Sequence, residues 1–227
     1  MITELKPNVY IVDVCGTLVR DDTTLGLLRH HFARDNTRPL RKKLLNAISN
    51  RRSPLWFAFA VAEKISRRHL LKHFAVYLLA GDSQEALNVS ANEYAKLLLA
   101  KRKVPTVWPL LEYPMANNQV VLASASLEPV VAALAELTNT RYVASTLEQH
   151  NGILTGRYAT DLTGIKKEAI VKRYGKEVFD GQVCVVTDNF TDRPLMEGTA
   201  QVYIVLHDAA HRERWNGVDA NFIGIDA

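Results

Sequence analysis

Asp13 closes an unbroken apolar run, VYIV, and is followed by Val14, Cys15, Gly16 and Thr17. A carboxylate carried to the end of a buried strand and into a turn is a ready nucleophile. The residue two positions further on stands where a proton-transferring group would serve it, and here that residue is the thiol of Cys15. Ser124 ends a second apolar run, Asp188 and Asp192 follow a third at a spacing of four, and the pair Lys166 and Lys167 opens a helical pattern. Carboxylates, a hydroxyl and an ammonium gathered at one point would suit a phosphate and Mg²⁺. Oxygen ligands match that hard cation, and a lysine offsets surplus negative charge. Each residue alone has an ordinary explanation: Asp13 as a turn cap, Ser124 in SAS as a helix cap, the lysines as a solvated helix face, Cys15 as a small buried residue. The Asp188/Asp192 spacing after an apolar strand favours the chemical reading of Asp13.

Such residues meet only if something brings them together. Asn8–Val14, Val120–Ala123, Val183–Thr187 and Val202–Leu206 are continuous β-branched runs, as in strands covered on both faces. Helical patterns at Leu127–Leu137 and Lys166–Tyr174 alternate with them, which predicts an α/β fold with a Rossmann-like parallel sheet. In such sheets, ligands bind beyond the carboxyl ends of the strands, where Asp13, Ser124, Asp188 and Asp192 fall. Asp22–Lys103 holds no convincing strand and reads as an all-helical insertion, closing near Pro105, Pro109 and Pro114. The expected division is a core of residues 1–20 and 106–227 and a helical cap of residues 21–105. Asn151 and Gly152 mark a hairpin turn within Leu147–Tyr158.

These motifs, DVCGTL at 13–18, a strand ending in Ser124, a lysine before a helix and TDNFTD at 187–192, resemble the four motifs of the haloacid dehalogenase superfamily. The stretch Ala144–Tyr158 is similar to the region before the lysine motif in its phosphoserine-phosphatase-like subfamily, which carries a helical cap after the first motif. The resemblance implies a Mg²⁺-dependent phosphohydrolase in which Asp13 forms an aspartyl phosphate. Asp188 and the Cys15 backbone carbonyl would hold Mg²⁺ beside Asp13. Ser124 and one of Lys166 or Lys167 would bind phosphoryl oxygens, with Asp192 supporting the metal shell or the lysine. Thr17, within the first motif, and Asp22, at the cap entrance, are candidates for substrate contact. Phosphatase members have aspartate where this chain has Cys15, so slow turnover on alkyl phosphates is expected. The alternative is a weakened module that binds a phosphorylated ligand and regulates it.

With 227 residues, 48% of them hydrophobic, the chain can bury a full core. Two cysteines are too few for a disulfide framework, and the N-terminus lacks a signal-peptide pattern, so a reducing cytoplasm is expected. No apolar run approaches the roughly 18 residues of a membrane span. Basic residues, from Arg29 and Arg34 through Arg67 and Arg68, gather in the insertion beside Trp56, Phe57 and Phe59. They fit either a solvated basic face or a cap meeting an anionic, even lipid-linked, phosphate at a membrane surface. No motif for nucleic acid accompanies them. The partner expected is a phosphorylated small molecule; oligomeric state is left open. The pairs His69/His73 and His207/His211 lack a third ligand and read as surface or packing residues.

Overall fold

The computed structural model describes residues 8–34, 38–66 and 69–224. Strand β1 (Val9–Val12) is followed by five helices: α1 (Thr23–Arg34), α2 (Pro39–Ser49), α3 (Pro54–Ser66), α4 (Leu70–Tyr77) and α5 (Gln84–Lys101). Helix α6 (Trp108–Ala116) leads back to β2 (Val120–Leu127). Then come α7 (Glu128–Thr138), β3 (Arg141–His150), β4 (Ile153–Thr160), α8 (Lys166–Tyr174), β5 (Val183–Thr187), α9 (Arg193–Met196), β6 (Gln201–Leu206) and β7 (Asn221–Gly224). The sheet order is β4-β3-β2-β1-β5-β6-β7, parallel throughout except for β4, which runs antiparallel to β3.

Alternation along the central strands explains their unbroken apolar sequences. Tyr10, Val12, Cys184 and Val186 enter one core, shared with α5 and α7, whereas Ile11, Val183 and Val185 enter another, shared with Ile170 of α8 and Leu195 of α9. Each such side chain contributes roughly 1.5–3 kcal/mol by leaving water. Helix α5 shows why the insertion is helical: the Ser83 side chain caps it by accepting from Ala86 N, and Leu87, Ala91, Tyr94 and Leu98 form one buried stripe. The insertion's two ends meet on neighbouring backbone. Arg20 N donates to Arg102 O at 2.7 Å, and Val104 N to Leu18 O at 3.2 Å.

Asn151 and Gly152 both adopt positive φ, 51° and 79°, in the turn between β3 and β4. This hairpin is tied to the insertion, since Gly81 N donates to Leu154 O and Leu154 N to Asp82 O, at 2.8 and 2.9 Å. Gly156, with φ +79°, lets β4 approach α4 closely; a Cβ there would lie 2.9 Å from Tyr77 O.

Some elements differ from the sequence expectation. Pro109 and Pro114 lie inside α6 instead of marking the end of the helical segment. Strand β2 runs on through Leu127, so Ser124 and Ser126 belong to a strand, and neither caps α7. Strand β7 and the parallel first half of β3 were not expected. The N-terminal segment through Pro7, and Arg67 and Arg68 of the basic insertion, lie outside the described residues. Among the described residues, no helix is long and apolar enough to cross a membrane.

Candidate active site

The chain builds β2 and β3 on one side of β1, then β5, β6 and β7 on the other, so the strand order reverses at β1. Loops diverge at such a point and leave a crevice at the carboxyl ends of the strands. Asp13 directly follows β1, Asp188 directly follows β5, and Ser124 lies in β2. Lys166, the first residue of α8, lies beneath them: its Nζ is 2.8 Å from Asp13 Oδ1 and 2.8 Å from Asp192 Oδ2. All three side chains are at least 96% buried. Asp192 Oδ2 also accepts from Thr187 Oγ1 at 2.7 Å. Asp188 is clamped by Thr17, whose hydroxyl donates to Oδ1 and accepts from the Asp188 backbone N, both at 2.9 Å. Its Oδ2 lies 3.0 Å from His207 Nε2. Gly16, with φ +74°, makes room for this arrangement, because a methyl group there would collide with Asp188 and His207.

Asp13, Ser124 and Lys166 line a cavity of about 360 Å³ whose walls come partly from the insertion, through Asp22, Leu25, Leu71 and Lys72. Negative charge is in surplus at its floor. Burial first, then the charge of Asp13, raises the pKa values of Asp188 and Asp192 above the usual carboxylate range, against the pull of His207 and Lys166. Burial alone would depress the Lys166 ammonium. The charges of Asp13 and Asp192 outweigh it and hold that pKa above its ordinary value. A divalent cation beside Asp13 and Asp188 would relieve the surplus. Among the described residues, no three His, Cys, Asp or Glu side chains form a metal cage. The two carboxylates of Asp13 and Asp188 suit Mg²⁺, a hard cation that takes oxygen ligands and usually keeps several waters.

A family model described as haloacid dehalogenase-like hydrolase matches residues 11–197, which include Asp13, Thr17, Ser124, Lys166, Asp188 and Asp192 but not His207. The chain belongs to that family. Solved structures agree in fold. A protein of unknown function from Bordetella pertussis Tohama I is 16% identical, with TM-score 0.74 over 97% of this chain and 100% of that one. A cytosolic 5'-nucleotidase IIIB bound to cytidine is 14% identical, with TM-score 0.65 over 95% and 80%. A phosphoserine phosphatase in apo form is 16% identical, with TM-score 0.55 over 96% and 94%. A search of curated proteins gave no match.

Within this haloacid dehalogenase-like hydrolase, the two candidate lysines separate. Lys166 points into the site, whereas Lys167 turns away from it, 3.7 Å from Glu197 and over the Phe179 ring. Thr17, considered for substrate contact, is fully buried and bonded to Asp188. Asp192 turns its Oδ2 to the Lys166 ammonium. Ser124 is buried beside Asp13, its Oγ accepting from Ser126 N at 3.2 Å. Asp22 sits on the cavity rim and accepts from Leu25 N at 2.9 Å, capping α1.

Cys15 lines the cavity, and its Sγ lies 2.9 Å from Thr23 Oγ1 and 3.0 Å from Ser126 Oγ. Burial, then the negative charges of Asp13 and Asp22, push the thiol pKa up to about 11. The sequence reading missed Thr23, Ser126 and His207. Strand alternation from Ser124 would have found Ser126. His207 follows β6 directly, so the strand-end rule that selected Asp13 and Asp188 applies to it too; pairing it with His211 hid that signal. Nothing in the sequence singles out Thr23.

Proposed function

We propose that this chain is a Mg²⁺-dependent phosphomonoesterase that works through an aspartyl phosphate on Asp13. The observation that carries the reading is the buried Lys166 bridge between Asp13 and Asp192, at the floor of a cavity walled by the helical insertion. In this reading, residues 1–20 and 106–227 are the catalytic core and residues 21–105 the cap that selects the leaving group. Neighbours named as a phosphoserine phosphatase and a 5'-nucleotidase support a phosphorylated small molecule as substrate. The basic, aromatic-bearing cap extends that class to a lipid-linked phosphate. The free thiols of Cys15 and Cys184 suit a cytoplasmic setting.

Asp13 is the nucleophile, one oxygen oriented by Lys166 and the other attacking phosphorus. The P–O bond to the leaving group breaks as the Asp13 O–P bond forms. Lys166 and Ser124 bind the phosphoryl oxygens. Asp13, Asp188 and the Cys15 carbonyl would hold Mg²⁺, which, when bound, offsets the charge of the phosphoryl group. Thr17 and His207 position Asp188, and Asp192 positions Lys166.

The thiol sets the rates. At pH 7 a group with pKa about 11 is ionised in only roughly one molecule in ten thousand, so Cys15 is a poor base for the water that must release phosphate from Asp13. General acid-base assistance is worth about 10² to 10⁴ in rate. Leaving groups that need no proton, such as aryl oxides, should therefore depart readily, and the phosphorylated enzyme should accumulate. Asp13→Asn, or a chelator, is expected to abolish hydrolysis of an aryl phosphate; Mg²⁺-dependent turnover that survives Asp13→Asn would refute the assignment. Cys15→Asp is expected to raise turnover on alkyl phosphates by tenfold or more, and no gain would remove the thiol as the limiting group. Cys15 also favours a second reading, a phosphate-binding regulatory module, which tight phosphate binding without turnover would support.

A further inference from the structure

Helix α3 is held to the molecule by one face and shows a second apolar face to solvent. Leu55 and Phe59 turn inward, with the Phe59 ring centroid 5.0 Å from that of Phe74. On the outer side, Phe57, Val61 and Ile65 follow one another at intervals of four residues and are 66%, 42% and 79% exposed. Residues four apart on a helix lie in a single row. Single exposed apolar residues are ordinary, but an exposed row along a whole helix is not.

Charge around this helix is strongly one-sided. The segment from Arg38 to His73 holds ten lysines and arginines and one acidic residue, while the rest of the chain holds 18 basic and 23 acidic residues. The positive net charge is thus confined to the strip that carries the apolar row. Its one acid, Glu63, is turned back to accept from Leu71 N at 2.9 Å. Arg38 and Arg41 bind Asp82, and Lys72 binds Asp161. Lys42 and Lys43 of α2, Arg51 and Arg52 between α2 and α3, and Lys64 of α3 are exposed.

We propose that α3 is an interfacial docking helix that seats the insertion on an anionic bilayer surface. An apolar row bordered by cations matches a surface that is apolar within and anionic at its headgroups. A helix of 13 residues is about 20 Å long, short of the roughly 30 Å needed to span, so it lies in the plane of the surface. A second copy of the chain fits poorly, because it would set two strips of the same charge against each other. Three residues beyond α3, His69 lines the cavity over Asp13, so docking brings the cavity mouth beside the surface. The proposal does not depend on the phosphohydrolase reading.

The test is sedimentation of the full chain with vesicles of phosphatidylglycerol and phosphatidylcholine, against vesicles of phosphatidylcholine alone. Partitioning should be at least about tenfold stronger onto the anionic vesicles and should weaken with salt. Phe57→Ser with Ile65→Ser, and separately Arg51→Glu with Arg52→Glu, should each lower it by about tenfold or more with the thermal midpoint held. Because Arg51 and Arg52 lie outside the helix, the second pair carries the test even if the first perturbs folding. Equal partitioning onto both vesicles, or unchanged partitioning of the charge-reversed pair, would overturn the proposal. So would a wild-type dimer that the Phe57/Ile65 pair dissolves, or binding to an acidic polypeptide with none to vesicles.

Discussion

Lys166, the proposed phosphate ligand, bridges two carboxylates where little water reaches, and that makes it a structural residue too. Replacing it with Met leaves Asp13 and Asp192 buried without their cation, which should cost about 3–5 kcal/mol of stability at neutral pH. Those carboxylates would then favour their protonated forms in the folded state. The native chain would bind more protons than the unfolded one above the ordinary carboxylate pKa, so the deficit should shrink as pH falls from about 8 to about 5. Urea unfolding of Lys166→Met at both pH values checks this; a pH-independent deficit would mean that the charges are not the cause. Cys15 offers a separate check. With its pKa raised to about 11, alkylation at pH 8 should be at least about tenfold slower than for free cysteine and should still accelerate above pH 9. Fast alkylation that levels off by pH 8 would show a stabilised thiolate and a usable base. Asp13, Ser124, Asp188 and Asp192 were legible because each follows or ends an apolar run of the sequence. The choice between Lys166 and Lys167 was not, since both lie in the first turn of α8; burial makes it, placing Lys166 on the same helix face as Ile170, four residues on. The thiol's hydroxyl partners come from α1 and β2, distant in sequence, and could not be paired from sequence alone.

The parallel strands could be read because burial on both faces leaves a continuous β-branched signature. The segment Asn221–Gly224 is too short and too exposed to leave that signature, and the proline-bearing α6 resembled a loop. The junction of β4 with α4 depends on an element pairing that local sequence does not reveal. Gly156→Ala tests it. The substitution adds a Cβ against Tyr77 backbone at a positive φ, so it should lower stability by about 1–2 kcal/mol or more. Differential scanning calorimetry should then show a lower melting temperature; an unchanged one would mean that the hairpin and α4 separate without cost.

The whole molecule is electrically polarised. Its acidic site lies at the carboxyl edge of the sheet, while its positive charge gathers on the insertion that walls the cavity. That division was legible from charge counts, but the direction in which the insertion faces required the structure. In the proposed mechanism, Asp13 accepts the phosphoryl group and, served by a thiol, releases it slowly. Acid quenching of the protein after mixing with an aryl phosphate and Mg²⁺, followed by peptide mass spectrometry, tests that claim directly. A phosphoryl group is expected on Asp13, absent from Asp13→Asn and shorter-lived in Cys15→Asp; Mg²⁺-dependent turnover with no phosphoryl group on Asp13 would overturn the mechanism.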